Sequence, residues 1–304
     1  MKKILITGGT GLIGKEVVNQ MSNKDYKIAV LTRGKTEIKK GIQFYHWDPE
    51  KNEIHQDALK GSHHIIHLAG ANLASGRWTK KRKRKIIDSR VSSTRLLIEE
   101  IIKNNLQPES FISSSAVGYY GMDDPQTEFW ETDPPGTDFL AKVCQQWEKA
   151  LEPLSKLNIR TVSIRTGLVL SPDGGLLKKI IPLAKKGLNT SFGNGQQIYP
   201  WIHIEDIARI YVFAMENNKF RNAYNAAVAV EQQVSQKSFN NQLAKMLNKP
   251  NFMPNVPSFL IKLILGKMSG MLLSGSYISN EKLLSEDFKF NYKELNIALK
   301  DLLK

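Results

Sequence analysis

Residues 2–14 read KKILITGGTGLIG, a run of aliphatic side chains that stops abruptly at glycines. Ile4, Leu5 and Ile6, set between Lys3 and Thr7, have the make-up of a short buried strand, and Leu12, Ile13, Val17 and Val18 begin a helical period behind it. The glycines therefore occupy a strand-to-helix turn. Gly8, Gly11 and Gly14 satisfy G-x-x-G-x-x-G, while Gly9, Gly11 and Gly14 satisfy G-x-G-x-x-G, the dinucleotide fingerprint when it follows a strand and opens a helix. Missing β-carbons let a pyrophosphate approach the backbone, and the helix N-terminus supplies unpaired N–H groups and the positive end of its dipole. This stretch expects a dinucleotide diphosphate.

The same rhythm continues outward. YKIAVLTR (Tyr26 to Arg33), HHIIHLAG (His63 to Gly70), SFISSSAVGYYG and IRTVSIRTGLVL read as strands separated by helices or loops, the βαβ alternation of a parallel sheet. The expected class is α/β, a Rossmann-type doubly wound parallel sheet with a smaller, mainly helical C-terminal substrate lobe. Residues 1–170 are read as the nucleotide-binding domain, its sheet completed within 197–230, and 171–304 as mostly the substrate lobe, including a C-terminal segment 250–304. The second strand ends Leu31-Thr32-Arg33, where an NAD-selective domain would carry a carboxylate for the ribose hydroxyls. An arginine there offers a cationic fork to a 2′-phosphate, which favours NADP(H) over NAD(H).

Of the 304 residues, 41% are hydrophobic and 24% charged, and no uninterrupted apolar stretch is long enough for a spanning helix. One cysteine, Cys144, rules out an internal disulfide framework and a cysteine-based metal cluster, and the expectation is a cytoplasmic protein with no metal. The net charge of +14 asks for an anionic partner, and Lys80 to Lys85 (KKRKRK) is its densest part. Ile86, Ile87, Val91, Leu96, Leu97 and Ile98 follow at helical spacing, and no aromatic stacking platform accompanies the run. It reads as the solvated start of a long helix, with nucleic acid disfavoured. VPSFLIKLILGKMSGMLL is the most apolar stretch and is expected to pack on its own domain or in a homodimer interface, not on a membrane.

TGGTGLIG, LAGANLASGRWT, IIDSRVSSTRLL, SAVGYYG, FLAKVCQQWE, PWIHIEDIA and a C-terminal GKMSGMLLSG…ISNEKLL together resemble the atypical and extended short-chain dehydrogenase/reductases. Within these the chain is similar to the NAD-dependent epimerase/dehydratase-like subgroup of the 39U type, to which a cell-division-inhibitor role has been attached. The resemblance spans essentially the whole chain. It implies NADP(H) lying over Gly8, Thr10, Gly11, Leu12, Ile13 and Gly14, with Thr32 and Arg33 on the adenosine phosphate, Leu68, Ala69 and Gly70 on the adenine-ribose side, and Arg90 reaching the cofactor.

Active members of that wider family place a serine after the strand, and a tyrosine four residues before a lysine, whose ammonium lowers the phenol pKa. Lys142 takes the lysine's place here, but Asp138 stands where the tyrosine would be. The remaining candidates are Ser115 (or Ser114) to polarise a carbonyl, Tyr120 (or Tyr119) as proton donor, and Asp138 with Lys142 as a base. Sugar-nucleotide epimerases carry an arginine just before the aromatic-Ile-His run, where this chain has Tyr199 and Pro200. The expected activity is an oxidoreductase or epimerase acting on a small molecule other than a nucleotide sugar, or else a catalytically silent NADP(H)-binding sensor.

Overall fold

The computed structural model describes residues 1–121 and 127–304. Its main sheet holds seven parallel strands: β1 (Lys2–Thr7), β2 (Tyr26–Thr32), β3 (Ile42–Asp48), β4 (Ser62–His67), β5 (Ser110–Ala116), β6 (Arg160–Thr166) and β7 (Asn222–Ala226). Their order across the sheet is β7-β6-β5-β4-β1-β2-β3, with short antiparallel strands Glu37–Lys39 and Glu53–Ile54 alongside β3. From β1 the chain winds out to β3 and then returns to β4 on the other side of β1. That reversal opens a crevice at the carboxyl ends of β1 and β4, where ligands bind in doubly wound sheets. Thr7, the last residue of β1, is level with Leu31 of β2 and His67 of β4.

Strand alternation builds two cores. Ile4, Ile6, Ile28 and Val30 point to one face and pack with Val17 and Met21 of α1 (Leu12–Met21), and with Ile207 and Tyr211 farther along the chain. Leu5, Ala29, Leu31, Ile65 and Phe111 point to the other, against Leu97, Ile98 and Ile101 of α2 (Lys80–Lys103). Because both faces are covered, the strands read as continuous apolar runs and not as alternating ones. Full burial of each such side chain contributes about 1.5–3 kcal/mol before chain entropy is counted. Thr79 caps α2, its side chain accepting the Arg82 N–H at 3.1 Å, so the basic run forms that helix's first turns. Next comes α3 (Phe139–Lys149), burying Leu140, Val143, Cys144 and Trp147, and burial pushes the Cys144 thiol up to about 12.

Beyond β6 the chain adds α4 (Gly175–Lys185), α5 (Ile204–Glu216), α6 (Gln236–Met246), α7 (Ser258–Leu265) and α8 (Leu295–Leu302). Helix α5 supplies Ile207 and Tyr211 to the core it shares with α1. Leu177, Trp201, Phe239, Leu243, Leu295 and Leu299 form a further core in the lobe. The tail is stitched to the rest through backbone contacts. Asp206, fully buried, accepts the N–H of Asn291 and of Tyr292, both at 2.9 Å, and the Arg209 guanidinium at 2.8 Å. Asn280 donates to the Ala227 carbonyl, and a β-carbon at Gly275 would lie 2.0 Å from the Ile198 carbonyl oxygen.

Of the two expectations for α7, its own domain or a homodimer interface, the first is met only in part. Ile261 is buried, but Phe259, Leu263 and Ile264 are 66, 70 and 62% exposed. Its apolar residues encircle the helix, and the lobe covers only the side that carries Ile261. Among the described residues no helix is long and apolar enough to cross a membrane.

Candidate functional site

At the switch point the glycines are required by contact. Gly8 has φ +67, and a β-carbon there would stand 2.9 Å from the Leu68 carbonyl. At Gly9 it would meet Val30 at 2.9 Å, and at Gly14 the Gly8 carbonyl oxygen at 2.2 Å. Gly14 thus seats α1 against the turn, while Gly11 closes the turn by donating its N–H to Gly8 O at 2.8 Å. Gly11 is also the N-cap of α1, where no side chain accepts a hydrogen bond and no acidic residue lies in the first turn. The first-turn N–H groups are left for an external acceptor, in the positive field of the helix dipole. Thr10 and Gly11 are exposed, whereas Leu12 packs beneath Gly174 and Ile13 rests against the sheet core.

The loop after β4 is fixed by polar groups beneath it. Thr7 Oγ1 accepts the N–H groups of Leu68 and Ala69, both at 3.1 Å, so its own proton goes to His67 Nδ1 at 2.7 Å. The Ser93 and Thr94 hydroxyls donate to backbone carbonyls, Thr94 to Arg90 O at 2.7 Å. They must therefore accept from His67 Nε2, at 3.2 and 3.1 Å, which puts the single imidazole proton there. Burial lowers the His67 pKa to about 3, so the ring is a neutral structural link.

Arg90 lies under Gly70, donating to the Ala71 and Ile86 carbonyls at 3.1 Å each, with its guanidinium 5.1 Å from the centroid of the Trp147 ring. It is 9% exposed, and burial lowers its pKa to about 10. Among the described residues no carboxylate pairs with it, so a buried cation stands beside the crevice with only carbonyl partners. At the end of β2, Thr32 Oγ1 accepts the Gly34 N–H at 3.1 Å and shapes the turn, while Arg33 is exposed.

The catalytic candidates do not assemble as a serine, proton donor and ammonium. Ser115 donates to Glu148 Oε1 at 2.6 Å, and Glu148 is gripped by Arg165 through two bonds of 2.9 Å. Arg165 also donates to the Tyr120 hydroxyl at 2.9 Å, and that hydroxyl donates to Asn225 Oδ1 at 2.7 Å. Tyr120 is buried and stacked on Phe129, and burial raises its pKa. Asp138 sits just outside α3 as its N-cap, Oδ1 accepting the Ala141 N–H at 2.9 Å. Lys142, whose N–H donates to the Asp138 carbonyl at 3.1 Å, is exposed.

Sequence reasoning passed over Thr7, His67, Glu148 and Arg165. A polar residue on an otherwise apolar strand was the available signal for the first, second and last. His203 caps α5, its Nδ1 accepting the Glu205 N–H at 3.1 Å. A groove of about 850 Å³ runs beside β6 and β7, lined by Trp130, Glu131, Glu148, Arg165 and Lys282 among others. It shares no lining residue with the glycine turn.

Comparison with known proteins places this geometry. The model of the NAD dependent epimerase/dehydratase family matches residues 4–227, and that of a domain of unknown function (DUF1731) matches 256–302. Epimerase family protein SSP1921 of Staphylococcus saprophyticus is 36% identical over 308 residues, covering 100% of both chains, and SH2119 of Staphylococcus haemolyticus is 34% identical over 306. Among solved structures, human epimerase family protein SDR39U1 with NADPH aligns over 99% of this chain and 98% of its own, with TM-score 0.84 and 25% identity. UDP-glucose 4-epimerase of Thermus thermophilus with NAD, at 20% identity and TM-score 0.76, shares the fold. The motif resemblance and the expected Rossmann-type parallel sheet are thus borne out together, and the chain belongs to the NAD dependent epimerase/dehydratase family, on an NAD(P)-binding short-chain dehydrogenase/reductase fold.

Proposed function

We propose that this protein binds NADP(H) and exchanges hydride between it and a small, weakly charged substrate at the carboxyl edge of the sheet. The observation that carries the reading is the cradle itself. Gly8 and Gly9 bring bare backbone against Leu68 and Val30, Gly11 leaves α1 uncapped, and Arg33 stands at the end of β2 without a carboxylate among the described residues. Bound cofactor supplies the hydride. The chain's part is to hold the diphosphate on the α1 N-terminus, the 2′-phosphate on Arg33 and the ribose side along Leu68, Ala69 and Gly70, with the buried charge of Arg90 beneath. The human relative with NADPH supports this choice of cofactor. The single buried thiol suits a reducing cytoplasm.

Replacing Arg33 with Ser tests the assignment by titration of NADPH and NADH, followed by thermal shift. Loss of charge-assisted hydrogen bonds should weaken NADPH by roughly ten- to hundredfold and leave NADH nearly unchanged. An equal loss for both cofactors refutes the role of Arg33. One observation favours a second reading, binding without turnover: Asp138, which caps α3 through Oδ1, stands four residues before Lys142 in the place of a tyrosine. Stereospecific transfer of labelled hydride from NADPH to any of a carbonyl panel decides for the enzyme. Binding without transfer to any of the panel supports the second reading.

A further inference from the structure

Two parts of the chain that are remote in sequence lack acidic residues altogether: 58–87, which contains the KKRKRK run, and 232–280, which contains α7. The fold puts them side by side. The Arg77 guanidinium donates to the Leu263 carbonyl at 2.7 Å, and Lys267 lies close enough to Lys83 that its charge helps to lower the Lys83 pKa, after burial. Lys83 in turn stands 4.4 Å over the ring of Phe139. Arg84 and Lys85 have carboxylate partners in Asp88 and Glu50. Among the described residues Arg77, Lys80, Lys81, Lys83, Lys262 and Lys267 have none.

The result is an apolar ridge with a cationic collar. Phe259, Leu263 and Ile264 project from α7, Phe252 beside them in sequence is 76% exposed, and the basic start of α2 borders them. Monomeric surfaces rarely keep so many large apolar side chains together in water. We propose that this face docks on an anionic phospholipid surface, the ridge entering the headgroup boundary and the collar resting on the phosphates. The proposal goes beyond cofactor binding and is independent of it. Charge complementarity selects this occupant. A second copy would set one collar against the other, and a nucleic acid would leave the apolar ridge wet.

Flotation of the full chain with vesicles of phosphatidylglycerol and phosphatidylcholine, against pure phosphatidylcholine, is the test. Binding should require the anionic lipid and weaken with added salt. Lys80→Gln with Lys81→Gln should weaken it by about fivefold per charge removed. Leu263→Glu with Ile264→Glu should abolish it; all four positions are exposed, so the thermal transition and its shift by NADPH report that both variants still fold. Absent binding, equal binding to both vesicles, or lipid binding that survives the Leu263→Glu, Ile264→Glu pair would overturn the proposal. So would a dimer in sedimentation that this pair dissociates, since the ridge would then belong to a self-interface.

Discussion

Replacing Gly14 with Ala and, separately, Gly11 with Ala should split stability from cofactor binding. At Gly14 the added methyl would stand 2.2 Å from the Gly8 carbonyl oxygen and 2.7 Å from the Gly9 Cα, where ordinary contact begins at 3.4 Å. The turn must therefore retreat by about 1.2 Å, the difference of 3.4 and 2.2. Such overpacking costs about 1–3 kcal/mol. Alanine returns about 1 kcal/mol of helix propensity, leaving a net loss of up to about 2 kcal/mol. That corresponds to a fall in Tm of about 2–4 °C per kcal/mol. Because the retreating atoms belong to Gly8 and Gly9, NADPH should bind at least about tenfold more weakly, the loss of one charge-assisted hydrogen bond. Gly11 differs. Its φ of −78 suits any residue, its methyl would meet only Gly8 O, at 3.1 Å, and the position is exposed. Gly11→Ala should therefore melt like the parent and still bind NADPH poorly, because the methyl occupies the approach to the backbone. Calorimetry and fluorescence titration read the two effects. A Gly14→Ala protein that melts and binds like the parent, or a Gly11→Ala protein that loses stability but keeps its affinity, would refute the reasoning.

Three further outcomes follow from buried groups. His67 is neutral in the folded protein, its pKa near 3 against an ordinary 6.5, so as pH falls below about 6.5 the unfolded chain takes up a proton that the folded one refuses. Its contribution is therefore complete above pH 6.5 and lost on acidification, with a slope of up to about 1.4 kcal/mol per pH unit down to about pH 3. Urea unfolding between neutral and mildly acid pH should show a slope about one proton shallower in His67→Asn, and an unchanged slope would contradict the neutral assignment. Glu148→Gln leaves Arg165, whose side chain is 4% exposed, without its ionic partner, and should cost about 3–5 kcal/mol in urea unfolding. Ser115→Ala removes one hydrogen bond to the same carboxylate and should cost about 1.5–3 kcal/mol.

The nucleotide end of the molecule was legible because its determinants are local. The glycine spacing, the apolar strands and the arginine closing β2 each occupy a few consecutive residues, and the basic run announced itself as the start of a helix. What escaped was built from residues far apart in the chain. Ser115, Glu148, Arg165 and Tyr120 meet only because β5, β6 and α3 stack, and no spacing within one element encodes that meeting. Asp138 does stand one helical turn before Lys142, but the spacing alone does not say that the helix begins one residue later and that the carboxylate caps it. The apolar run of α7 reads as core in any window, because hydrophobicity records preference for burial and not whether neighbours exist to provide it.

The carboxylate of Asp206 has a further consequence. It receives two amides from the segment preceding α8, while Leu283, Phe288 and Phe290 fill the core that α1 and α5 share. The last fifty or so residues thus act as a keystone for the sheet domain, so the border between the two matching family models, near residue 256, is one of bookkeeping and not of mechanics. Cutting the chain there would take two of its hydrogen bonds from a buried anion, leaving it Arg209 alone, and open hydrophobic floor to solvent, so whatever task the tail performs, its owner cannot shed it and stay intact.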